Sequence, residues 1–203
     1  MNLHGARLLL VTDPRPDLAD RVAAAVRGGV DIVQLRDKET SREELSPLAE
    51  ELKDVCEREG AVFTVNDDVE LARISCAGGV HLGQEDAPVR AAREVLGPGR
   101  IVGRSAGSLG EALDEVRAGA DYLGVGSVYS TPTKSDAEIG GHALIQAIAR
   151  ANLPIPWFAI GGITQETAPE VAHAGAPGFA VVRAILDAED PEAAARELRS
   201  MLP

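Results

Sequence analysis

The sequence has few cysteines and a deficit of basic residues, and each shortage removes classes of protein. Only Cys56 and Cys76 are present, too few for a disulfide framework and without the close Cys or His spacing of a zinc site. We therefore predict that both are buried thiols. Since 20 basic residues face 32 acidic ones, the net charge of -12 should repel nucleic acid and anionic membrane surfaces, so we expect neither as a partner.

Segments that direct a chain into a membrane or out of the cell are also lacking. No apolar run approaches the roughly 18 residues that a membrane span needs. The stretch Met1–Thr12 lacks the basic region, long apolar run and cleavage site of a signal peptide, which predicts a cytoplasmic protein. No Ser/Gly-rich linker divides the 203 residues, so we expect one catalytic domain over residues 1–203.

What the chain does contain is a regular alternation of short apolar runs and stretches with helical spacing. Ser41 with Glu44 three residues later, for example, is typical of a helix start. Strand followed by helix, repeated, implies a parallel sheet. The eight candidate strands are Leu8–Thr12, Ile32–Leu35, Val62–Val65, Val80–Leu82, Ile101–Val102, Tyr122–Val125, Phe158–Ile160 and Phe179–Val182.

A glycine repeat supports this reading. The segments Arg27–Asp31, Ala77–His81, Ala118–Asp121 and Ala174–Pro177 each place glycine before an apolar run, at separations of 50, 41 and 56 residues. Because glycine tolerates the left-handed backbone that ends a helix, each copy is predicted to be a helix end. The spacing predicts an α/β fold, a single (β/α)8 barrel. An open doubly wound sheet would need a Gly-rich turn after the first strand, where this chain has Thr12–Pro16.

Reactive groups in such barrels project from the carboxyl ends of the strands. Gln34, Arg36 and Lys38 alternate along one extended segment, so their side chains should point to one side, inward if Leu35 faces the helices. Arg104 and Ser105 are expected directly after the fifth strand. We therefore predict polar and cationic groups converging at one mouth of the barrel.

Two aspartates follow the third and fourth strands, which are neighbours in a barrel. Asp67 and Asp86 could therefore bring their carboxylates together, and Mg²⁺ prefers one or two carboxylates completed by water and substrate phosphate. Alternatively, Asp67 or Asp68 caps a helix over Val69–Ile74. The spacing does not decide between a metal site and a cap.

Three later segments are typical of phosphate binding. The run Thr131–Lys134 offers hydroxyls and a lysine, whereas Gly161–Gly162 and Val182–Arg183 follow the last two strands, where many barrels hold phosphate. The first segment could instead be a loop that simply moves, and the glycines also fit a tight turn into a helix that Thr164 could cap. His81, within the fourth strand, is interpreted as a hydrogen-bonded barrel histidine rather than a base.

Together, these motifs closely resemble the thiamine phosphate synthase family. The resemblance extends from the second strand to the eighth and rests on the ordered set rather than on any single element. The matching segments are Gln34–Lys38, Val65–Asp68, His81–Asp86, Thr131–Lys134 and Ile160–Ile163.

The resemblance implies a Mg²⁺-dependent transferase that joins hydroxymethylpyrimidine pyrophosphate to a thiazole phosphate after pyrophosphate departs, with only small molecules as substrates. It assigns the metal to Asp67 and Asp86. It implies that Arg36, Lys38, Ser105 and Lys134 are catalytic. The residues implied to contact the pyrimidine pyrophosphate are Gln34, Arg36, Lys38, Asn66, Ser105 and Lys134. The residues implied to hold the thiazole phosphate are Thr131, Thr133, Gly162, Val182 and Arg183.

Two positions depart from the family pattern. Arg183 stands where serine is common, and Gly107 replaces a histidine common two positions after the motif serine. Gly103–Ser105 also looks like the related thiazole tautomerase, although that enzyme usually has histidine where Ser127 stands. A non-catalytic barrel that binds phosphate metabolites is a third reading. The sequence leaves open whether the chain forms a homo-oligomer.

Overall fold

The structure, a computed structural model, describes residues 3–131 and 139–203. Within these residues eight strands alternate with helices. The strands are β1 Leu8–Val11, β2 Ile32–Leu35, β3 Val62–Asn66, β4 Gly79–Leu82, β5 Ile101–Ala106, β6 Tyr122–Val125, β7 Trp157–Ile160 and β8 Phe179–Val181. The helices are α1 Leu18–Arg27, α2 Arg42–Glu59, α3 Val69–Ile74, α4 Val89–Leu96, α5 Leu109–Arg117, α6 Gly141–Ala151, α7 Ala168–His173, α8 Arg183–Leu186 and α9 Pro191–Ser200.

The strands close into a parallel barrel in chain order, because each pairs with the next and β8 pairs back with β1. The predicted (β/α)8 fold is therefore confirmed. None of the helices in the described ranges is both long and apolar enough to traverse a bilayer.

The period of two along each strand separates an interior from an outer layer. Inside the barrel lies a small apolar cluster that includes Val11, Ile101 and Phe158, with Tyr122 packed edge-on against Phe158 at a ring distance of 5.8 Å. The residues between them face outward and pack, together with the helices, into the larger core. Ile101, Tyr122 and Phe158 occupy the first or second position of their strands, so the carboxyl end of the barrel is left for polar side chains.

Helix ends largely follow the predicted signals. Ser41 and Glu44 form a reciprocal capping box at the start of α2. Gly29, Gly119 and Gly175 have φ of +111°, +89° and +107°, as predicted for three copies of the glycine repeat. In the remaining copy, Ala77–His81, the prediction is wrong: α3 ends at Ile74, before the glycines, and the left-handed residue is Cys76, with φ of +54°.

The prediction of two buried thiols is therefore wrong for one of them. Cys56 is buried within α2, and burial raises the pKa of its thiol to about 12. Cys76 is exposed because it lies in the turn between α3 and β4 rather than in a helix or strand.

The fifth strand is longer than its apolar run predicts, so Arg104 and Ser105 lie inside β5 rather than after it. Pairing with β6 continues from Gly103 to Ala106 and keeps these polar residues in the sheet. Since neighbours on a strand face opposite sides, Arg104 points outward, where its side chain is 5% exposed and pairs with Glu115 of α5 at 2.8 Å. Only Ser105 is directed into the barrel.

Candidate active site

Polar side chains gather at the carboxyl end of β2 to β5, a region that we call the charged rim. It comprises Gln34, Arg36, Lys38, Asn66, Asp67, Asp86 and Ser105. Gln34, Asn66 and Ser105 lie on the strands themselves at inward-facing positions, as judged from the alternation with core residues such as Leu35 and Val65. The inward orientation predicted for Gln34 is confirmed, and the side chain is buried.

A buried hydrogen-bonded chain supports the floor of this rim. His81 of β4 contacts the Tyr122 hydroxyl through Nδ1 at 3.1 Å and the Ser105 hydroxyl through Nε2 at 3.0 Å. Burial raises the pKa of Tyr122, and the adjacent Thr64 hydroxyl and Gln34 amide oppose that rise only in part. Tyr122 is therefore a neutral phenol, and both ring nitrogens of His81 are engaged.

This arrangement confirms the reading of His81 as a satisfied barrel histidine and reveals a link that the sequence did not show. Tyr122 and His81 lie between Gln34 on β2 and Ser105 on β5, so two predicted substrate contacts share one support. Gly124 of β6 leaves room for the imidazole, since a Cβ there would lie 3.3 Å from His81 Cε1.

Two cationic residues, Arg36 and Lys38, follow β2. Arg36 is held through its backbone N–H, which donates to the Thr12 hydroxyl at 3.0 Å. Lys38 places Nζ 3.6 Å from Asp67 Oδ2, and its side chain is 56% exposed. Lys38 is thus positioned to meet an anion from solvent while staying beside a carboxylate.

Asp67 and Asp86 approach each other, as the neighbouring strands predicted. The pKa of Asp67 is raised, first by burial and then by the Asp86 carboxylate, and Lys38 counteracts the rise. Asp67 has a φ of +62°, and its N–H donates to the His81 carbonyl at 2.8 Å. Asp86 is fixed by the Gly83 N–H at 2.6 Å.

The sequence left open whether Asp67 or Asp68 caps a helix, and in the structure Asp68 does so. Asp68 caps α3 by accepting the Leu71 N–H at 2.9 Å, and it pairs with Arg42 at 2.6 Å. Asp67, the residue before it, faces Asp86 instead. The sequence Asn-Asp-Asp therefore combines a structural carboxylate with one that is free to serve the rim.

The raised pKa of Asp67 beside a second carboxylate marks a site where a divalent cation would offset the repulsion between the two charges. No cluster of three or more His, Cys, Asp or Glu suited to a metal occurs in residues 3–131 and 139–203. A pair is nevertheless enough for Mg²⁺, because this ion keeps several waters and takes further oxygens from substrate phosphate. Asp67 and Asp86 thus fit Mg²⁺.

A second region lies across the barrel mouth from the charged rim, after β6, β7 and β8. We call it the glycine rim, and it comprises Ser127–Thr131, Gly161–Gly162 and Val182–Arg183. The first two segments run side by side, since Val128 and Tyr129 donate their N–H groups to the carbonyls of Ile160 and Gly161 at 2.9 and 3.0 Å. The structure therefore brings the segment that ends at Thr131 against the predicted glycine turn.

The glycines of this rim are required by their surroundings. Gly162 has a φ of +64°, and a Cβ would lie 2.7 Å from the Ser130 carbonyl oxygen. Val182 precedes α8, and Arg183 begins it and is exposed. Thr133 and Lys134 lie outside the described residues.

A (β/α)8 barrel with its polar site at the carboxyl ends of the strands is the class of protein that this geometry defines. A family model described as thiamine monophosphate synthase matches residues 8–185. The chain belongs to the thiamine monophosphate synthase family, which confirms the resemblance noted in the sequence.

Individual relatives agree with this assignment. The thiamine-phosphate synthase of Thermobifida fusca is 46% identical over 206 residues, covering 98% of this chain and 94% of that protein. A solved thiamine phosphate pyrophosphorylase from Pyrococcus furiosus has a TM-score of 0.87 at 37% identity, covering 97% of this chain and 95% of that one. The thiamine-phosphate synthase of Synechocystis sp. is 44% identical over 98% of this chain, but the chain spans only 58% of that relative.

Proposed function

We propose that this protein is a thiamine phosphate synthase, a transferase that joins hydroxymethylpyrimidine pyrophosphate to a thiazole phosphate and releases pyrophosphate. The observation that carries the proposal is the pairing of Asp67 with Asp86 beside Lys38, at the same rim as Arg36. The two carboxylates suit the Mg²⁺ and the two cations suit the diphosphate, so the set fits a magnesium diphosphate better than carboxylates or cations alone would. The family and the names of its relatives support the same reaction.

In this proposal the charged rim binds and ionises the pyrimidine substrate. Gln34, Asn66 and Ser105 orient the pyrimidine, and Arg36 and Lys38 contact the diphosphate oxygens. As the C–O bond breaks, negative charge grows on the departing pyrophosphate, and fixed cations stabilise it. Mg²⁺ held by Asp67 and Asp86 would supply further charge stabilisation. Ser105 and Lys134 complete the catalytic set that the family resemblance implies.

The glycine rim is the proposed site of the second substrate. Thr131, Thr133, Gly162, Val182 and Arg183 would hold the thiazole phosphate, with backbone N–H groups and hydroxyls as donors. The attacking thiazole nitrogen carries no proton, so the reaction needs no general base. This agrees with a His81 whose two ring nitrogens are already engaged.

One assay tests the proposal. The protein is mixed with both phosphorylated precursors, with and without Mg²⁺, and thiamine phosphate is measured. We expect product that depends on Mg²⁺. Rearrangement of the thiazole without coupling would identify a tautomerase instead, and binding without turnover would identify a passive binder; either result would overturn the proposal.

A further inference from the structure

Side chains from other parts of the chain help to hold the short helix α8 in place. It has four residues, and the backbone N–H groups that follow it, those of Asp187 and Ala188, reach two of its four carbonyls, those of Arg183 and Ile185. Three side chains from other elements donate to carbonyls here: Gln165 to Ala184 at 2.8 Å, Arg15 to Leu186, and Arg21 to Ala188 at 2.8 Å. We call these three side chains the carbonyl clamp.

Arg15 is the most constrained member of the clamp. Its side chain is 16% exposed and pairs with Asp13 at 2.6 Å and with Asp187 at 2.9 Å. The planar guanidinium has enough donors to hold both carboxylates and the Leu186 carbonyl at once. Arg15 therefore ties the loop after β1 to the end of α8.

Gln165 makes the connection that matters most for the site. It lies three residues after Gly162, in the segment between β7 and α7, and its amide reaches the carbonyl of Ala184, two residues after Val182. This hydrogen bond thus links the segment after β7 to the segment after β8, two of the three segments that form the glycine rim. If that bond is lost, β7 and β8 still pair as far as Ile160 and Ala180, but the segments beyond that pairing lose this link.

We propose that Gln165 is a positioning residue for the thiazole phosphate subsite, with Arg15 supporting it from the far end of α8. This inference rests on the proposed function, because it presumes that the glycine rim binds that phosphate. A ligand held by both of these segments is sensitive to their spacing beyond the β7–β8 pairing, and Gln165 links them there. The pyrimidine subsite has its own support in Tyr122 and His81, so the effect should be selective for one substrate.

The test compares Gln165→Met with Gln146→Met. Methionine has similar length but no donor, and Gln146 is an exposed glutamine on α6, outside both rims. Steady-state kinetics are measured for each substrate at saturating levels of the other. For Gln165→Met we expect the thiazole phosphate KM to rise about three- to tenfold, the scale of one lost hydrogen bond, while kcat and the pyrimidine pyrophosphate KM stay within about twofold. Gln146→Met should match the parent protein.

The outcomes separate the two proposals. If the parent protein makes no thiamine phosphate, the proposed function fails. If it does, and Gln165→Met leaves the thiazole phosphate KM unchanged or raises both KM values equally, the positioning role is wrong. Thermal melts identify any variant that does not fold. Arg15→Lys then tests the positioning role independently, because lysine keeps the charge but loses the planar guanidinium that holds two carboxylates and a carbonyl. We expect Arg15→Lys to raise the same KM about threefold; an unchanged KM would overturn the proposal.

Discussion

The two rims of this barrel are built in different ways. The charged rim presents side chains from strands and strand ends, and a buried chain through Tyr122 and His81 supports it from below. The glycine rim presents backbone, and its shape depends on left-handed glycines and on side chains that donate to carbonyls. Substitution in the charged rim should therefore remove a chemical group and lower turnover, whereas substitution in the glycine rim should change shape and weaken one substrate.

The largest expected effect is at the carboxylate pair. Asp67→Asn removes one of the two charges proposed to hold Mg²⁺, so we expect turnover to fall at least about 10²-fold, the scale of losing one strong charge stabiliser. Steady-state rates across a Mg²⁺ titration measure it.

Asp68→Asn is the matched control, because it removes the adjacent charge from a residue that serves α3. Asparagine is also a good helix cap, so this variant should keep its turnover. Equal rates for the two variants would refute the distinction between a metal carboxylate and a cap.

The glycine rim should respond to added bulk. Gly162→Ala places a Cβ against the Ser130 carbonyl and the Tyr129 side chain at a positive φ, so we expect the thiazole phosphate KM to rise about tenfold and the free energy of unfolding to fall by roughly 1–3 kcal/mol. Kinetics and urea unfolding measure the two quantities.

Gly119→Ala separates strain from contact. Gly119 also has a positive φ, of +89°, but a Cβ added there would meet no heavy atom within 4 Å. We expect a loss of stability with no change in either KM. A similar rise in KM for both variants would show that the effect is global and does not come from the rim.

The smallest effect should come from the buried support. Tyr122→Phe removes the hydroxyl that meets His81, which frees the imidazole and, through it, Ser105. We expect the pyrimidine pyrophosphate KM to rise about threefold, as for one lost hydrogen bond, with the thiazole phosphate KM unchanged. Tyr129→Phe, which loses a 2.8 Å contact with His142 outside the charged rim, should leave the pyrimidine KM unaltered. An effect confined to the thiazole phosphate in Tyr122→Phe would contradict the assignment of the rims.

Local sequence pattern predicted the barrel and much of the charged rim, since both follow from features that repeat over a few residues. Apolar runs mark strands, glycines mark most helix ends, and polar residues after adjacent strands must meet. The pattern could not tell Asp67 from Asp68, because that choice depends on backbone conformation and on Arg42 from another helix.

Links between residues distant in the chain were not visible in the sequence. Tyr122 has the pattern of an apolar strand residue, and its contact with His81 joins positions 41 apart. Gln165 and Arg15 donate to backbone carbonyl groups. Because every residue has such a carbonyl, the sequence does not indicate which one accepts the hydrogen bond. The outward direction of Arg104 was missed because its strand continues beyond the apolar run.

The most direct test of the account is calorimetric titration of inorganic pyrophosphate into the protein and into Asp67→Asn, each with and without Mg²⁺. If Asp67 and Asp86 share a metal with the diphosphate, Mg²⁺ should tighten pyrophosphate binding about tenfold or more in the parent protein and far less in the variant. Equal tightening in both proteins would contradict a metal site at the charged rim.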